Sequence, residues 1–316
     1  MAAFPISEQQ QTTRISAPDL RRDLDLTDDE LSALLDLASD MKQSPRDYAH
    51  ALDGKYLGLL FEKASLRTRL TFELAIKQLG GDSVFSEGPI GAREPVKDIA
   101  RNMDRWVHAI AARTFSQDTI EELARWSAIP VINALSDLYH PCQVLADMLT
   151  VKEHFGDFAG LKLAFSGDGN NVAHSLMLTC ARLGIDFAIA TPHGYEPNSE
   201  IVAQADGLAA VSGSALLLTD DPAEAVAGAH AVYTDVWTSM GQEKESARRR
   251  KAFANYQVNE ALFAQARPDA VFMHCLPAHR EEEVTDFVIE HSRSVVFDQA
   301  ENRLHAQKAL LLMMLA

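Results

Sequence analysis

The chain is short of positive charge. Across 316 residues, 29 lysines and arginines face 45 aspartates and glutamates, for a formal net charge of −16. A nucleic-acid binder needs a basic face to neutralise phosphates, so that class is excluded. An anionic small substrate is not, because a pocket can be locally basic on an acidic protein. Cysteine is scarce as well. Cys142, Cys180 and Cys275 are too few for a disulfide framework and point to a reducing compartment, the cytoplasm. No stretch reaches the roughly 18 apolar residues of a membrane helix, so no membrane partner is expected. The longest candidate, Ala309–Ala316, follows a polar, periodic segment. The opening stretch MAAFPISEQQQTTR lacks the basic start and apolar run of a signal peptide. Residues 1–18, rich in glutamine and ending in Pro18, read as a mobile tail. There is no internal repeat and no other low-complexity segment.

What is present is an ordinary apolar fraction, 47%, and enough length for two domains of about 150 residues. Thr27 and Glu30 form a capping box ahead of Leu31, Leu34, Leu35 and Ala38 at helical spacing. Short apolar runs then alternate with helical patterns. Strands are expected at Tyr56–Phe61, Ser83–Phe85, Ala109–Arg113 and Val131–Asn133, with helices between them and a longer helix at Pro141–Phe155. A second series has strands at Lys162–Ser166, Asp186–Ala190, Ala215–Leu218, Ala231–Thr234, Ala270–His274 and Ser294–Phe297, then a final helix from about Asn302. The alternation specifies an α/β fold of two doubly wound parallel-sheet domains linked by helices. The series restarts after Gly156–Gly160. The expected division is therefore 19–155, with the C-terminal helix 302–316, and 156–301.

Five stretches at expected strand ends can carry chemistry. Ser65-Leu66-Arg67-Thr68-Arg69 opens a helix, where free backbone N–H groups, two hydroxyls and a guanidinium suit a phosphate. The same residues also fit a serine cap followed by solvated arginines. In His140-Pro141-Cys142-Gln143, His140 and Gln143 lie one turn apart and can bond one small polar group. No second ligand stands at zinc spacing, and Cys142 reads as a core residue. Gly167-Asp168-Gly169-Asn170-Asn171 resembles a dinucleotide loop, but the third glycine falls on Val172. A tight turn presenting Asn171 is the better reading. Asp235, followed by the loop Trp237-Thr238-Ser239-Met240-Gly241-Gln242, suits an ammonium group and a closing lid, or an ordinary capped loop. In His274-Cys275-Leu276-Pro277, neighbouring strand residues point to opposite faces, so a Cys–His dyad is disfavoured and an inert thiol is the alternative.

Together these motifs resemble those of the aspartate/ornithine carbamoyltransferase family. The resemblance runs from about Leu24 to the C-terminus through FEKASLRTR, HPCQ, GDGNN, DVWTSMGQE, HCLPAHR and ENRLHAQKA, in the family's order. It implies carbamoyl transfer from carbamoyl phosphate to the δ-amine of L-ornithine, in arginine metabolism, without cofactor or metal. It further implies that Ser65, Leu66, Arg67 and Thr68 hold the phosphate, with charge from Arg113 and Arg303. His140 and Gln143 would hold the carbamoyl group, whose carbonyl Arg113 also polarises. Asn171 and the Ser239–Met240 loop would take the α-carboxylate of ornithine, and Asp235 its α-ammonium. Cys275 and the Leu276 backbone would stand between the two substrates. The implied catalytic set is Cys275, Arg113 and His140, and the implied assembly is a homotrimer or a multiple of one.

Two positions depart from the family pattern. Leu66 replaces a Thr or Met that contributes only its backbone N–H. Pro89 stands where a Gln or His commonly reaches the phosphate of a neighbouring subunit, which proline cannot do, and Arg93 is the nearest substitute. The rival readings are another amine acceptor on the same fold, such as an acylated ornithine or a polyamine, and a catalytically silent ligand-binding subunit.

Overall fold

The computed structural model describes residues 13–239 and 241–316. The chain forms two compact units, one running up to Leu145 and including Arg303–Ala316, the other Ala146–Asn302.

The first unit begins with α1 (Asp28–Gln43), closed at its start by Thr27, whose hydroxyl accepts from Glu30 N–H while the Glu30 carboxylate accepts from Thr27 N–H. Then come β1 (Tyr56–Phe61), α2 (Leu66–Gln78), β2 (Asp82–Glu87), α3 (Val96–Trp106), β3 (Ala109–Arg113), α4 (Gln117–Trp126), β4 (Val131–Leu135) and α5 (Pro141–Phe155). All four strands are parallel, in the order β2-β1-β3-β4. One face is sealed by Ala100, Met103, Ile120 and Leu123 of α3 and α4 against Leu60, Ile110, Ala112 and Val131. The expected tail is corrected at its inner end. Ile15 is buried and donates to Met313 O, Ser16 N–H donates to Glu30, and Leu20 bridges Ile132 beside β4. An apolar side chain and a free strand edge outweigh the polar composition of that segment.

The second unit contains β5 (Lys162–Ser166), α6 (Asn171–Leu183), β6 (Asp186–Ala190), α7 (Ser199–Ser212), β7 (Leu216–Thr219), α8 (Pro222–Val226), β8 (Ala231–Thr234), α9 (Ser246–Phe253), α10 (Glu260–Phe263), β9 (Val271–His274), α11 (Asp286–Ile289) and α12 (Val296–Leu315). Its five parallel strands take the order β7-β6-β5-β8-β9. Val232 and Phe272 pack with Val258, Leu262, Val284 and Val288. The expected last strand, Ser294–Phe297, is not one. Phe272 N–H donates to Arg293 O and Val295 N–H to Phe272 O, giving a single bridge at Ser294 before α12 begins at Val296. Its β-branched valines match strand propensity, but the chain turns helical at once, with Gln299 N–H bonding Val295 O.

Strand order reverses between β1 and β3 in one sheet and between β5 and β8 in the other. In open parallel sheets such switch points open a crevice at the carboxyl ends of the strands, where ligands bind. Four of the five chemical motifs follow β1, β4, β5 and β8, and the fifth runs out of β9.

Candidate active site

In the first unit, Ser65 caps α2 with its hydroxyl, accepting from Thr68 N–H at 3.2 Å. Leu66 turns its side chain to solvent, 70% exposed, so only its backbone faces the helix start. Thr68 is fully buried, and its hydroxyl oxygen accepts from Arg303 Nη2 at 2.7 Å and from Arg113 Nη1 at 3.4 Å. Two guanidiniums thus converge where the helix dipole already favours an anion. Arg67 lies in the first turn of the same helix.

His140 and Gln143 are buried at the start of α5, with Gln143 N–H donating to His140 O at 3.0 Å. Burial, reinforced by Arg303, Arg113 and Lys63, pushes the His140 imidazole well below its usual pKa, so the ring is neutral at physiological pH. Cys142, between them, is enclosed. Its Sγ donates to Asn133 O at 3.4 Å, and burial pushes the thiol up to about 12.

In the second unit, Asp235 follows β8 and is nearly enclosed. Oδ1 accepts from Cys275 Sγ at 3.0 Å and from Val236 N–H at 2.8 Å, while Oδ2 accepts from Asn170 Nδ2 at 2.7 Å. A carboxylate offers about four acceptor positions, so three donors leave one. Asn171 begins α6, and its Oδ1 takes Val172 N–H at 3.0 Å. Cys275 therefore pairs with Asp235 rather than with His274, which the face argument had disfavoured. Leu276 N–H donates to His274 Nδ1 at 2.8 Å, and His274 Nε2 faces Glu283 Oε1 at 3.3 Å. That pattern assigns the ring proton to Nε2. Leu276 itself sits at φ 54°, a left-handed conformation that costs a non-glycine residue about 1 kcal/mol. Asp235, His274 and Cys275 place donor atoms within 4.8 Å of one another, as a thiophilic cation would need. Both His274 nitrogens are already engaged, so the grouping works as a hydrogen-bond network.

Ser239 belongs to a turn in which Gln242 N–H donates to Ser239 O at 3.0 Å and Ser239 N–H to Gln242 Oε1 at 3.1 Å. Met240 lies outside the described residues. The base of this loop is anchored by a residue that sequence reasoning missed. Arg249, buried in α9, donates through Nη1 to Asp168 Oδ2 and to Trp237 O, each at 2.9 Å. Asn170 was missed as well, although two asparagines at a strand-to-helix passage are a capping signal, and its Oδ1 caps Val172 and Ala173 N–H. Gly169 is dictated by close approach, since a Cβ there would lie 2.3 Å from Pro197 N.

A profile of the carbamoyl-P binding domain of aspartate/ornithine carbamoyltransferases matches residues 19–153, and one of the Asp/Orn binding domain matches residues 159–314. The chain belongs to the aspartate/ornithine carbamoyltransferase family. Among carbamoyltransferases of this family it is similar to the ornithine carbamoyltransferase of Gloeobacter violaceus, with 52% identity over 297 residues, 93% of this chain and 94% of that one. The solved ornithine carbamoyltransferase of Pyrococcus furiosus superimposes with a TM-score of 0.93 at 46% identity, covering 96% of this chain and 98% of that chain. A solved acetylornithine transcarbamylase, complexed with acetylcitrulline, gives 0.85 at 30% identity, covering 94% and 99%.

Proposed function

We propose that this carbamoyltransferase moves the carbamoyl group from carbamoyl phosphate to the δ-amine of L-ornithine, giving L-citrulline and phosphate in arginine metabolism. The observation that carries the first half of the reading is the convergence of Arg113 and Arg303 on Thr68, beside a neutral, buried His140. The leaving phosphate is neutralised by the α2 N-terminus with Ser65, Leu66, Arg67 and Thr68, and by the two arginines. Arg113 stabilises the oxyanion that grows on the carbamoyl carbonyl. His140 and Gln143 orient that group, and a neutral imidazole can do so without adding a further charge.

For the acceptor, Asp235 holds the α-ammonium at its open position, and Asn171 with the Ser239–Met240 loop takes the α-carboxylate. Cys275, donating to Asp235, and the Leu276 backbone line the acceptor's approach. Ornithine is preferred over acylated ornithine because an amide cannot pair with Asp235 and would leave a nearly buried carboxylate short of charge. The identity figures, 52% to an ornithine enzyme and 30% to an acetylornithine enzyme, support the same choice.

The reading extends to a cytoplasmic homotrimer or a multiple of one. Leu66, Leu70 and Leu74 are 70%, 45% and 45% exposed at four-residue spacing along α2, and Val84 is exposed on the edge strand β2. That apolar stripe suits a symmetric interface between copies. The test is product formation with ornithine, N-α-acetylornithine, putrescine and aspartate as acceptors. Turnover with ornithine alone is expected, and comparable turnover of acetylornithine or putrescine rejects the acceptor assignment.

A further inference from the structure

The turn that follows Pro277 carries three ligand-type side chains, His279, Glu282 and Glu283. Its backbone is tied at each step. Glu282 N–H donates to His279 O at 2.9 Å and Glu281 N–H to Val284 O at 2.8 Å, while Gln257 Nε2 donates to Glu281 O at 3.1 Å and to Glu282 O at 2.8 Å. Glu281 closes the turn at φ 68°. Held in this way, one imidazole nitrogen and one oxygen from each of the two carboxylates lie within 4.8 Å of one another.

The Glu283 side chain is fully buried. Its Oε1 is engaged, accepting from His279 N–H at 2.5 Å and facing His274 Nε2 at 3.3 Å. Its Oε2 has no hydrogen-bond partner among the described residues. That oxygen faces His279 Nδ1 at 3.8 Å, beyond hydrogen-bonding reach. The neighbouring guanidiniums are engaged elsewhere, Arg280 with Asp286 and Glu290, and Arg250 with Glu282. A buried carboxylate oxygen left in this way is costly unless a cation meets it.

A divalent ion fits the gap. Two bonds of about 2.0–2.2 Å each span up to roughly 4.2 Å, so one ion can join Nδ1 to Oε2 across a distance that a hydrogen bond cannot. Two carboxylates balance its charge. An imidazole in the set favours ions of the zinc class over magnesium or calcium, which take oxygen alone. Arg250 Nη2 holds Glu282 Oε1 at 2.8 Å and orients that carboxylate from outside, as partners of metal ligands do. His279 is 54% exposed, which gives an ion its way in.

We propose that His279, Glu282 and Glu283 form a binding site for a divalent transition-metal ion of the zinc class, with water at the fourth position. The ion shares Glu283 with His274, and so braces the turn that leaves β9. It takes no part in the transfer reaction, and the site does not depend on which amine the enzyme accepts.

The experiment is titration of tag-free, chelator-stripped full-length protein with Zn²⁺ by calorimetry and with Co²⁺ by absorption, for wild type, His279→Ala, Glu282→Gln and Cys275→Ser. Wild type and Cys275→Ser should bind zinc alike. Cobalt should give visible bands without the near-ultraviolet band of a thiolate ligand, a result that needs no variant and separates this site from the group of Asp235, His274 and Cys275. Loss of an outer partner typically costs about 10–100-fold in metal affinity, so loss of a ligand should cost no less. His279→Ala and Glu282→Gln should therefore each weaken zinc at least tenfold. Zinc should raise the melting temperature of wild type and leave that of His279→Ala where it was. Zinc binding by His279→Ala within twofold of wild type overturns the inference. So does cobalt bound through Cys275 alone, seen as a thiolate band that vanishes in Cys275→Ser, and so does the absence of saturable zinc binding to wild type.

Discussion

The two units solve opposite electrostatic problems. In the first, Arg113 and Arg303 meet over a threonine hydroxyl, and the neighbouring histidine is neutral. In the second, a nearly enclosed carboxylate, Asp235, is already held by an amide, a thiol and a backbone N–H. The first pocket concentrates one sign of charge, and the second spreads its charge through donors. A dianion brings enough charge of its own to compensate gathered cations. An amino acid carries both signs, so its site needs orientation more than field. The difference predicts which substitutions hurt which substrate.

The largest effect is expected on the cationic side. Arg113→Met should lower kcat/KM for carbamoyl phosphate about 10³-fold, since on the proposed reading it removes both a phosphate contact and an oxyanion donor. Steady-state kinetics measures this, and a loss below tenfold would remove Arg113 from the chemistry. Asp235→Asn should come next. It should lower kcat/KM for ornithine about 10²-fold while leaving carbamoyl phosphate binding within twofold. Equal damage to both substrates would mean that the two pockets do not divide the labour as described.

The third prediction concerns pH. Burial outweighs the Arg249 guanidinium and pushes the Asp168 carboxyl up from 3.8 to about 6. Between those values the folded protein keeps a proton that the unfolded chain has released. The stability contributed by this site therefore falls as pH rises through that window and is level above it. Asp168→Asn should remove that slope in melts recorded from pH 4 to pH 6.5. It should also loosen the loop that Arg249 ties through Trp237 O, visible as faster amide exchange at Trp237–Gln242. An unchanged slope would assign the titration elsewhere. The smallest effect is expected at Leu66, whose side chain is mostly solvent-exposed and whose proposed role is a backbone N–H. Leu66→Ala should change kcat/KM by less than twofold, and any loss it causes should appear in assembly measured by ultracentrifugation.

The position of the candidate site was legible because its motifs are local. Each motif sits where a parallel strand gives way to a helix or loop, and the alternating pattern places those points without knowledge of the tertiary structure. The capping box at Thr27 and the helix start at Ser65 were readable for the same reason. What escaped was long-range. Arg249 reaches Asp168 across 81 residues, and nothing in Ser-Ala-Arg-Arg-Arg distinguishes Arg249 from its solvated neighbours. Arg303 reaches Thr68 across 235 residues, and only the resemblance to a family pointed to it. The error at Ser294–Phe297 has a different cause. Ser294 does pair with Phe272, but for one bridge only, and propensity cannot count ladder rungs.

The first unit is discontinuous: its last piece, Arg303–Ala316, follows the whole of the second unit in the chain. Protein synthesis therefore delivers the two units out of step. At about 5–20 residues per second, the ribosome spends roughly 8–30 s on residues 146–302 before Arg303 emerges. Throughout that interval the nascent first unit lacks the buried run Leu310–Leu315 and one of the two guanidiniums over Thr68. The second unit can condense while its elder waits, exposed, for a closing segment still to be translated. The cationic pocket around Thr68 is thus completed only at the end of synthesis.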